Sequence, residues 1–251
     1  MMHETVVHML AAAAAERPHA EALVCGGQGL TYRQYYEAVN GFASTLQGER
    51  IATVLGNSIE ACVAMFGVLA SGAQLVPINP LYTKREVDEI VADAEPSLVV
   101  SKGFALQFST SFHFPKSEDL ALLQYTGGTT GKSKGVNLTH RAIATNVAQR
   151  EALLPTKMDS ERILCAMPLF HSYGMAMGLF LAANCRGTLV ILERYRPEEV
   201  LQAVEKERIT IFPGSPTIFT GLLGHADFSR TDWSSVHTCY SGSPPPAGGE
   251  L

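Results

Sequence analysis

Apolar positions along this chain fall in short blocks that alternate between the periods of helix and strand. Residues 5–15 place Val6, Val7, Leu10 and Ala14 on one side of a helix. Residues 21–25 form a short strand that turns at Gly26-Gly27. Leu30-Thr31-Tyr32 leads into a helix through Leu46, with Thr31 as its N-cap and Gly48 as its stop. A strand at 51–55 precedes Ser58, which caps a long apolar helix ending near Gly72. The strand at 75–78 contains Pro77, a sign of an edge strand or a strand end. Thr83 and Glu86 have the spacing of a capping box at the start of a helix through Asp93 and Ala94. Residues 98–100 are a β-branched strand.

The second half keeps this rhythm. A strand at 121–125 enters a glycine-rich loop, which is expected to lead to a helix starting near Thr139. Strands follow at 162–166, 188–192, 209–212 and 237–240. Helices follow at 172–183, 197–208 and 215–223, the middle one opening on a proline. Strands alternating with helices predict an α/β fold with largely parallel sheets covered by helices on both faces. No short internal repeat accompanies the alternation.

Composition supports a packed protein. The chain has 251 residues, 46% hydrophobic and 17% charged, enough for a sizeable core. A formal charge of −5, with scattered lysines and arginines, argues against a nucleic-acid surface. The five cysteines (Cys25, Cys62, Cys165, Cys185 and Cys239) include no C-x-x-C pair, so they read as free thiols in a reducing cytoplasm. The N-terminus lacks a basic region before its alanine run and does not read as a signal peptide. Residues 61–78 and 178–192 are apolar, but each divides into a buried helix and a buried strand rather than a span of about 20 residues.

The chemistry concentrates at Tyr125-Thr126-Gly127-Gly128-Thr129-Thr130-Gly131-Lys132-Ser133-Lys134-Gly135. Glycines bring backbone N–H groups close to phosphate oxygens, hydroxyls add donors, and lysines add positive charge. Residues 126–133 match a Walker A loop except at the first position, where Thr126 replaces glycine. The same residues resemble the phosphate-binding motif of the adenylate-forming superfamily, Y-T-S-G-T-T-G-x-P-K-G. Gly127 stands for its serine and Ser133 for its proline. With Leu122-Leu123-Gln124 before it and Val136-Asn137-Leu138-Thr139-His140-Arg141 after it, the loop is most similar to that of fatty acyl-CoA ligases. Val76-Pro77-Ile78-Asn79-Pro80-Leu81-Tyr82-Thr83 resembles another passage of that family, and Asn79 and Pro80 read as turn residues within it.

The resemblance implies further sites. Met167-Pro168-Leu169-Phe170-His171-Ser172-Tyr173-Gly174 is similar to P-L-x-H-x-x-G, which would set His171 beside the carboxylate of an acid substrate. Ser241-Gly242-Ser243-Pro244-Pro245-Pro246 resembles the loop that contacts adenine, and so implies nucleotide contacts from Ser241, Gly242, Ser243 and Pro244. Phe212-Pro213-Gly214-Ser215-Pro216-Thr217 resembles a segment near the acyl channel. Thr126, Gly127, Gly128, Thr129, Thr130, Gly131, Lys132 and Lys134 would hold the phosphates. The implied reaction joins a carboxylic acid to coenzyme A through an acyl-adenylate, using ATP and Mg²⁺. The implied acid is a medium- or long-chain fatty acid, with aryl and alicyclic acids as competitors.

The implied architecture is the N-terminal domain of an acyl-CoA synthetase, with residues 1–120 as a first βα part and 121–251 as the phosphate-loop and acyl-pocket part. Residues 101–119 are short for that family. The later family motifs, including the C-terminal lysine of adenylation, do not occur within 251 residues. This chain is therefore expected to be a truncated portion that does not run the full reaction alone. Alternatives are an acyl-AMP ligase, a carrier-loading adenylation domain, a non-catalytic nucleotide- or acyl-binding remnant, or a P-loop NTPase. The reading leaves room for a homodimer and predicts a cytoplasmic protein without a membrane span.

Overall fold

The computed structural model describes residues 3–110, 113–126 and 134–242. Two sheets carry the chain. The six-stranded sheet has the order β11-β10-β8-β9-β1-β2, formed by Thr238–Ser241, Ile211–Gly214, Arg162–Cys165, Thr188–Ile191, Glu21–Cys25 and Gln28–Thr31. The five-stranded sheet has the order β5-β3-β4-β6-β7, formed by Leu98–Val100, Arg50–Thr53, Gln74–Pro77, Leu120–Thr126 and Lys134–Thr139. Each sheet is parallel except for one antiparallel edge strand, β2 in the first and β7 in the second. Each also draws strands from both sides of residue 120.

The sheets share a helical middle layer. Helix α3 (Ile59–Ala70) is buried at every position but Glu60 in its first turn, as a helix apolar on nearly all sides must be. Around it lie α1 (Val6–Glu16), α2 (Tyr32–Ala43), α5 (His140–Leu153) and the helical run from α6 (Ser172–Gly174) through a π-helical stretch (Met175–Phe180) to α7 (Leu181–Cys185). Ile51 and Leu75 reach this layer from one sheet, and Ile163, Leu189 and Ile211 reach it from the other. Helix α4 (Lys84–Ala94) covers the outer face of the five-stranded sheet. Helices α8 (Pro197–Lys206) and α9 (Pro216–Leu223) cover the outer face of the six-stranded sheet. The stiff β-branched and leucine runs of these strands suit burial on both faces.

Local signals explain the helix starts. Thr5, Ser58, Thr139 and Ser215 each accept a hydrogen bond from the backbone of the first turn, and Thr31 and Thr83 form full capping boxes. Pro77 ends β4, a central strand, so the strand-end reading holds and the edge reading does not. Asn79 makes a turn, its Oδ1 accepting from Leu81 N–H at 2.9 Å. Of the cysteines, Cys62, Cys165 and Cys185 are buried, Cys25 is half-buried and Cys239 is exposed; all are free thiols. Among the described residues, no helix is long and apolar enough to cross a membrane.

The helix expected near Thr139 is there, with Thr139 as its N-cap, but the structure corrects the path from the glycine-rich loop to it. β6 leads not to a helix but to β7, which returns antiparallel with Thr126 opposite Lys134. Only after β7 does α5 begin. The strand was hidden because Gly135 and Asn137 are poor strand formers. Gly135 packs closely there: a Cβ would lie 2.8 Å from Leu123 Cδ1 and push that side chain aside. Upstream, the short segment after β5 lies across α2. Phe104 stacks on Phe42 with ring centroids 4.3 Å apart, and a Cβ on Gly41 would strike the Gln107 carbonyl.

Tyr32 joins the layers through its buried hydroxyl, which donates to the carbonyls of Ala182 at 2.9 Å and Gly187 at 2.6 Å. Tyr32→Phe leaves both acceptors without this donor. It is expected to cost about 1–3 kcal/mol in urea denaturation, with the fold retained.

Candidate functional site

In both sheets the carboxyl ends of the parallel strands carry the residues singled out by sequence, the edge where open α/β sheets bind ligands. Thr126 ends β6, Ser241 ends β11 with Gly242 next, and His171 follows the turn after β8. Thr126 and Lys134 face each other, both exposed, at the two ends of the glycine-rich loop. Gly127, Gly128, Thr129, Thr130, Gly131 and Lys132 lie outside the described residues, as do Ser243 and Pro244.

Side chains from both sheets bring these positions together. Gln124, on β6 two residues before Thr126, donates from Nε2 to the Phe170 carbonyl at 3.4 Å, next to His171. Two residues beyond His171, the Tyr173 hydroxyl donates to the Tyr240 carbonyl at 3.2 Å. The Tyr173 ring also occupies the space where residue 242 would carry a Cβ; that atom would lie 2.1 Å from Cε2, so only glycine fits. A continuous run of contacts thus links the strand into the glycine-rich loop, His171 and Ser241-Gly242.

The hydrogen bonds of His171 fix its tautomer. Nδ1 accepts from Tyr173 N–H at 3.2 Å, while the His171 amide donates to the Pro168 carbonyl at 3.1 Å. A neutral imidazole that accepts at Nδ1 carries its proton on Nε2. The exposed face of His171 is therefore an N–H donor, suited to orienting a carboxylate oxygen.

Arg150 supports the wall beneath. It reaches from α5, donates through Nη2 to Tyr240 Oη at 3.2 Å, and lies 5.3 Å from the centre of the Tyr240 ring. Its charge is met by Glu151 at 3.1 Å. Burial pushes the Tyr173 phenol up to about 12, with Tyr240 beside it adding to the shift, so it is a neutral donor at physiological pH. Among the described residues, no group of three or more His, Cys, Asp or Glu could hold a metal ion. Sequence reasoning placed Tyr173 in the His171 motif but missed Arg150, Tyr240 and Asn57, whose carboxamide bonds the backbone of Met167 and Leu169 just before His171. Asn57 carried a signal of a kind, an Asn-Ser pair before an apolar helix, but that reads as a helix start.

Comparisons with known proteins identify the family and the fold. The family model described as AMP-binding enzyme matches residues 10–110 and 109–249. A long-chain-fatty-acid–CoA ligase of Bacillus subtilis (strain 168) is 28% identical over 310 aligned positions, covering 96% of this chain and 55% of that protein. A feruloyl-CoA synthase of Amycolatopsis sp. is 30% identical, covering 91% of this chain and 52% of that protein. ATP-bound MatB from Rhodopseudomonas palustris shares the fold with a TM-score of 0.87 and 24% identity, over 97% of this chain and 56% of that one. The chain thus spans about half the length of the curated relatives it matches. The Bacillus alignment is longer than the 251 residues of the chain, so that relative has internal residues without counterparts here. The family match breaks at residues 109–110, inside the stretch that sequence reads as short.

His140, just after β7, is fully buried, and neither ring nitrogen has a hydrogen-bond partner among the described residues. Burial lowers its pKa from 6.5 to about 4. Between those values the unfolded chain binds a proton that the folded chain refuses. Its contribution is therefore intact above about pH 6.5 and falls as pH drops toward 4. At 1.36 kcal/mol per unit, the loss approaches about 3 kcal/mol. Urea denaturation of His140→Leu is expected to show a correspondingly weaker loss of stability between pH 7 and pH 4.5 than the wild type.

Proposed function

This chain belongs to the AMP-binding enzyme family, and on that premise we propose that it forms the nucleotide- and acid-binding part of an ATP-dependent carboxylic acid–CoA ligase. The observation that carries the reading is the convergence, where the carboxyl edges of the two sheets meet, of Thr126 and Lys134 from one sheet with His171 and Ser241-Gly242 from the other, linked through Gln124, Phe170 and Tyr173. In this reading, residues 1–251 are most of an N-terminal adenylation domain, with the phosphate loop and acyl pocket built mainly from residues 121–251.

The reaction proceeds in two steps. An acid carboxylate attacks the α-phosphate of ATP, giving an acyl-adenylate and pyrophosphate. The thiol of coenzyme A then attacks the acyl carbon and displaces AMP. The acid is already ionised at neutral pH, so the first step needs orientation rather than a general base. His171 Nε2–H supplies that orientation by donating to a carboxylate oxygen. Negative charge grows on the departing pyrophosphate, where backbone N–H groups, the hydroxyls of Thr126, Thr129 and Thr130, and Lys132 and Lys134 stabilise it. Gly127, Gly128 and Gly131 let the loop backbone approach the phosphates. Ser241, Gly242, Ser243 and Pro244 border the adenine. Mg²⁺ has no carboxylate cage among the described residues and would arrive on the ATP phosphates; no step is assigned to it.

A medium- or long-chain fatty acid is the preferred substrate, supported by the fatty-acid–CoA ligase relative. The feruloyl-CoA synthase relative favours a second reading, an aryl-propenoic acid. A location in the cytoplasm fits the free thiols.

ATP–pyrophosphate exchange against saturated fatty acids and cinnamic acids, run on the full-length ligase that the reading implies, tests the proposal, together with calorimetry of ATP binding to this chain. Exchange should depend on added acid, and the acid giving the highest kcat/KM identifies the class. Lys134→Ala should weaken ATP binding about tenfold, as loss of one charge-assisted phosphate contact does. ATP hydrolysis that proceeds without acid, combined with no exchange for any acid, would sink the reading.

A further inference from the structure

The side chain of Asn57 has a part in this site that its place in the sequence does not announce. It lies beyond the carboxyl end of β3, next to the Ser58 cap of α3, and is only 7% exposed. Its carboxamide is spent on the backbone of the opposite sheet. Nδ2 donates to the Met167 carbonyl at 3.0 Å and the Leu192 carbonyl at 3.1 Å. Oδ1 accepts from Leu169 N–H at 2.8 Å.

These partners make up much of the connection between β8 and His171. Met167 and Leu169 flank Pro168, which has no N–H and whose carbonyl takes the amide of His171. The Phe170 carbonyl is held by Gln124, and the His171 carbonyl by Met175 N–H. Asn57 thus clamps the stem of a turn whose tip is His171. The requirement for asparagine is chemical. Two donors and an acceptor must project from one carbon at this depth. Aspartate has the shape but would set a carboxylate oxygen against two carbonyl oxygens. Alanine would leave three backbone groups bare.

We propose that Asn57 is a positioning residue of the acid site, acting through the Met167–Leu169 backbone to hold the His171 imidazole with Nε2–H facing the substrate. The functional half of this inference rests on the ligase reading; the structural half does not.

Two measurements on this chain separate the halves. In a histidine-¹⁵N-labelled sample, the resonances of His171 are assigned by their loss in His171→Ala. The wild type should show the Nε2–H tautomer with a hydrogen-bonded Nδ1. Asn57→Asp should shift His171 toward the mixed tautomers of a free imidazole. Thr83→Ala, which removes a distant helix cap, should destabilise the fold without moving that signature. An unchanged His171 spectrum in Asn57→Asp overturns the proposal. The second measurement is calorimetry with dodecanoyl-sulfamoyl adenosine, a stable mimic of an acyl-adenylate. Asn57→Asp should weaken binding about tenfold in the wild-type background, but less than about twofold in His171→Ala. Equal losses in both backgrounds would show that Asn57 does not act through His171, and would also overturn it. If the wild type binds no analogue, the ligase reading fails, and the His171 spectrum alone decides the role of Asn57.

Discussion

Two sheets of parallel strands can pack on a common helical layer with their carboxyl ends at the same edge or at opposite edges. Here they share an edge, and one buried carboxamide joins them there. Asn57 leaves the end of β3 in one sheet and bonds the backbone just past the ends of β8 and β9 in the other. Each hydrogen bond contributes about 1 kcal/mol net, but a bared buried group costs about 1–3 kcal/mol. The arrangement is therefore held more by what its loss would expose than by what it gains. Below Asn57, α3, apolar from Ala61 to Ala70, fills the space between the sheets. The polar clamp sits at the top of the most hydrophobic element of the molecule.

The opposite edge of the six-stranded sheet is built on another plan. At the amino ends of its strands, polar groups are used up on one another. Arg162 pairs with Glu21 at 2.9 Å and Glu207 at 2.6 Å. The buried Glu161 accepts from Lys157 N–H at 2.6 Å and lies 3.1 Å from His237 Nε2, while Thr210 also donates to it. These strand starts are locked by side chains that have little left for a ligand. At the carboxyl edge, Thr126, Lys134, His171 and Ser241 are exposed. The six-stranded sheet thus spends polar chemistry on stability at its amino edge and leaves His171 and Ser241 exposed at its carboxyl edge, beside Thr126 and Lys134 of the other sheet.

The sequence made most of the elements legible because their signals are local. Thr83-x-x-Glu86 is a capping box in both sequence and structure, and Thr31, read as an N-cap, completes one with Gln34. The strands at 51–55 and 188–192 followed from runs rich in β-branched residues, and the one at 21–25 from a short apolar block ended by Gly26-Gly27. β2 and β7 were not legible. Both are antiparallel edge strands containing glycine, and their pairing depends on a partner distant from any local pattern. The π-helical turn at Met175–Phe180 was hidden for a similar reason, since a single extra residue leaves the apolar spacing nearly intact. At the site, His171 and Ser241-Gly242 stood out because they sit in recognisable motifs. Asn57, Gln124 and Arg150 did not, because their roles depend on backbone groups 46 to 135 residues away and on a ring 90 residues away.

The hairpin between β6 and β7 bears on the kind of nucleotide chemistry open to the loop. In a Walker loop a helix begins where the glycines end, and its N-terminal dipole faces the phosphates. Here six residues of strand intervene, Lys134–Thr139. At about 3.4 Å per residue, α5 starts roughly 17 Å from the loop. Its first turn is already capped, with Thr139 Oγ1 accepting from Ala142 N–H at 3.2 Å. Phosphate charge proposed to bind at residues 126–134 would then be met by the N–H groups, hydroxyls and lysines of that segment rather than by α5. The two ends of that loop are held in register by Gln74, which donates to Leu122 O at 3.0 Å and to Asn137 Oδ1 at 2.7 Å, and by the close fit of Gly135 on Leu123. Gln124 carries the same hairpin to the His171 turn. A movement of the phosphate loop along β6 would therefore be felt where the acid is proposed to bind, a coupling suited to a reaction in which the acid must meet the α-phosphate in line.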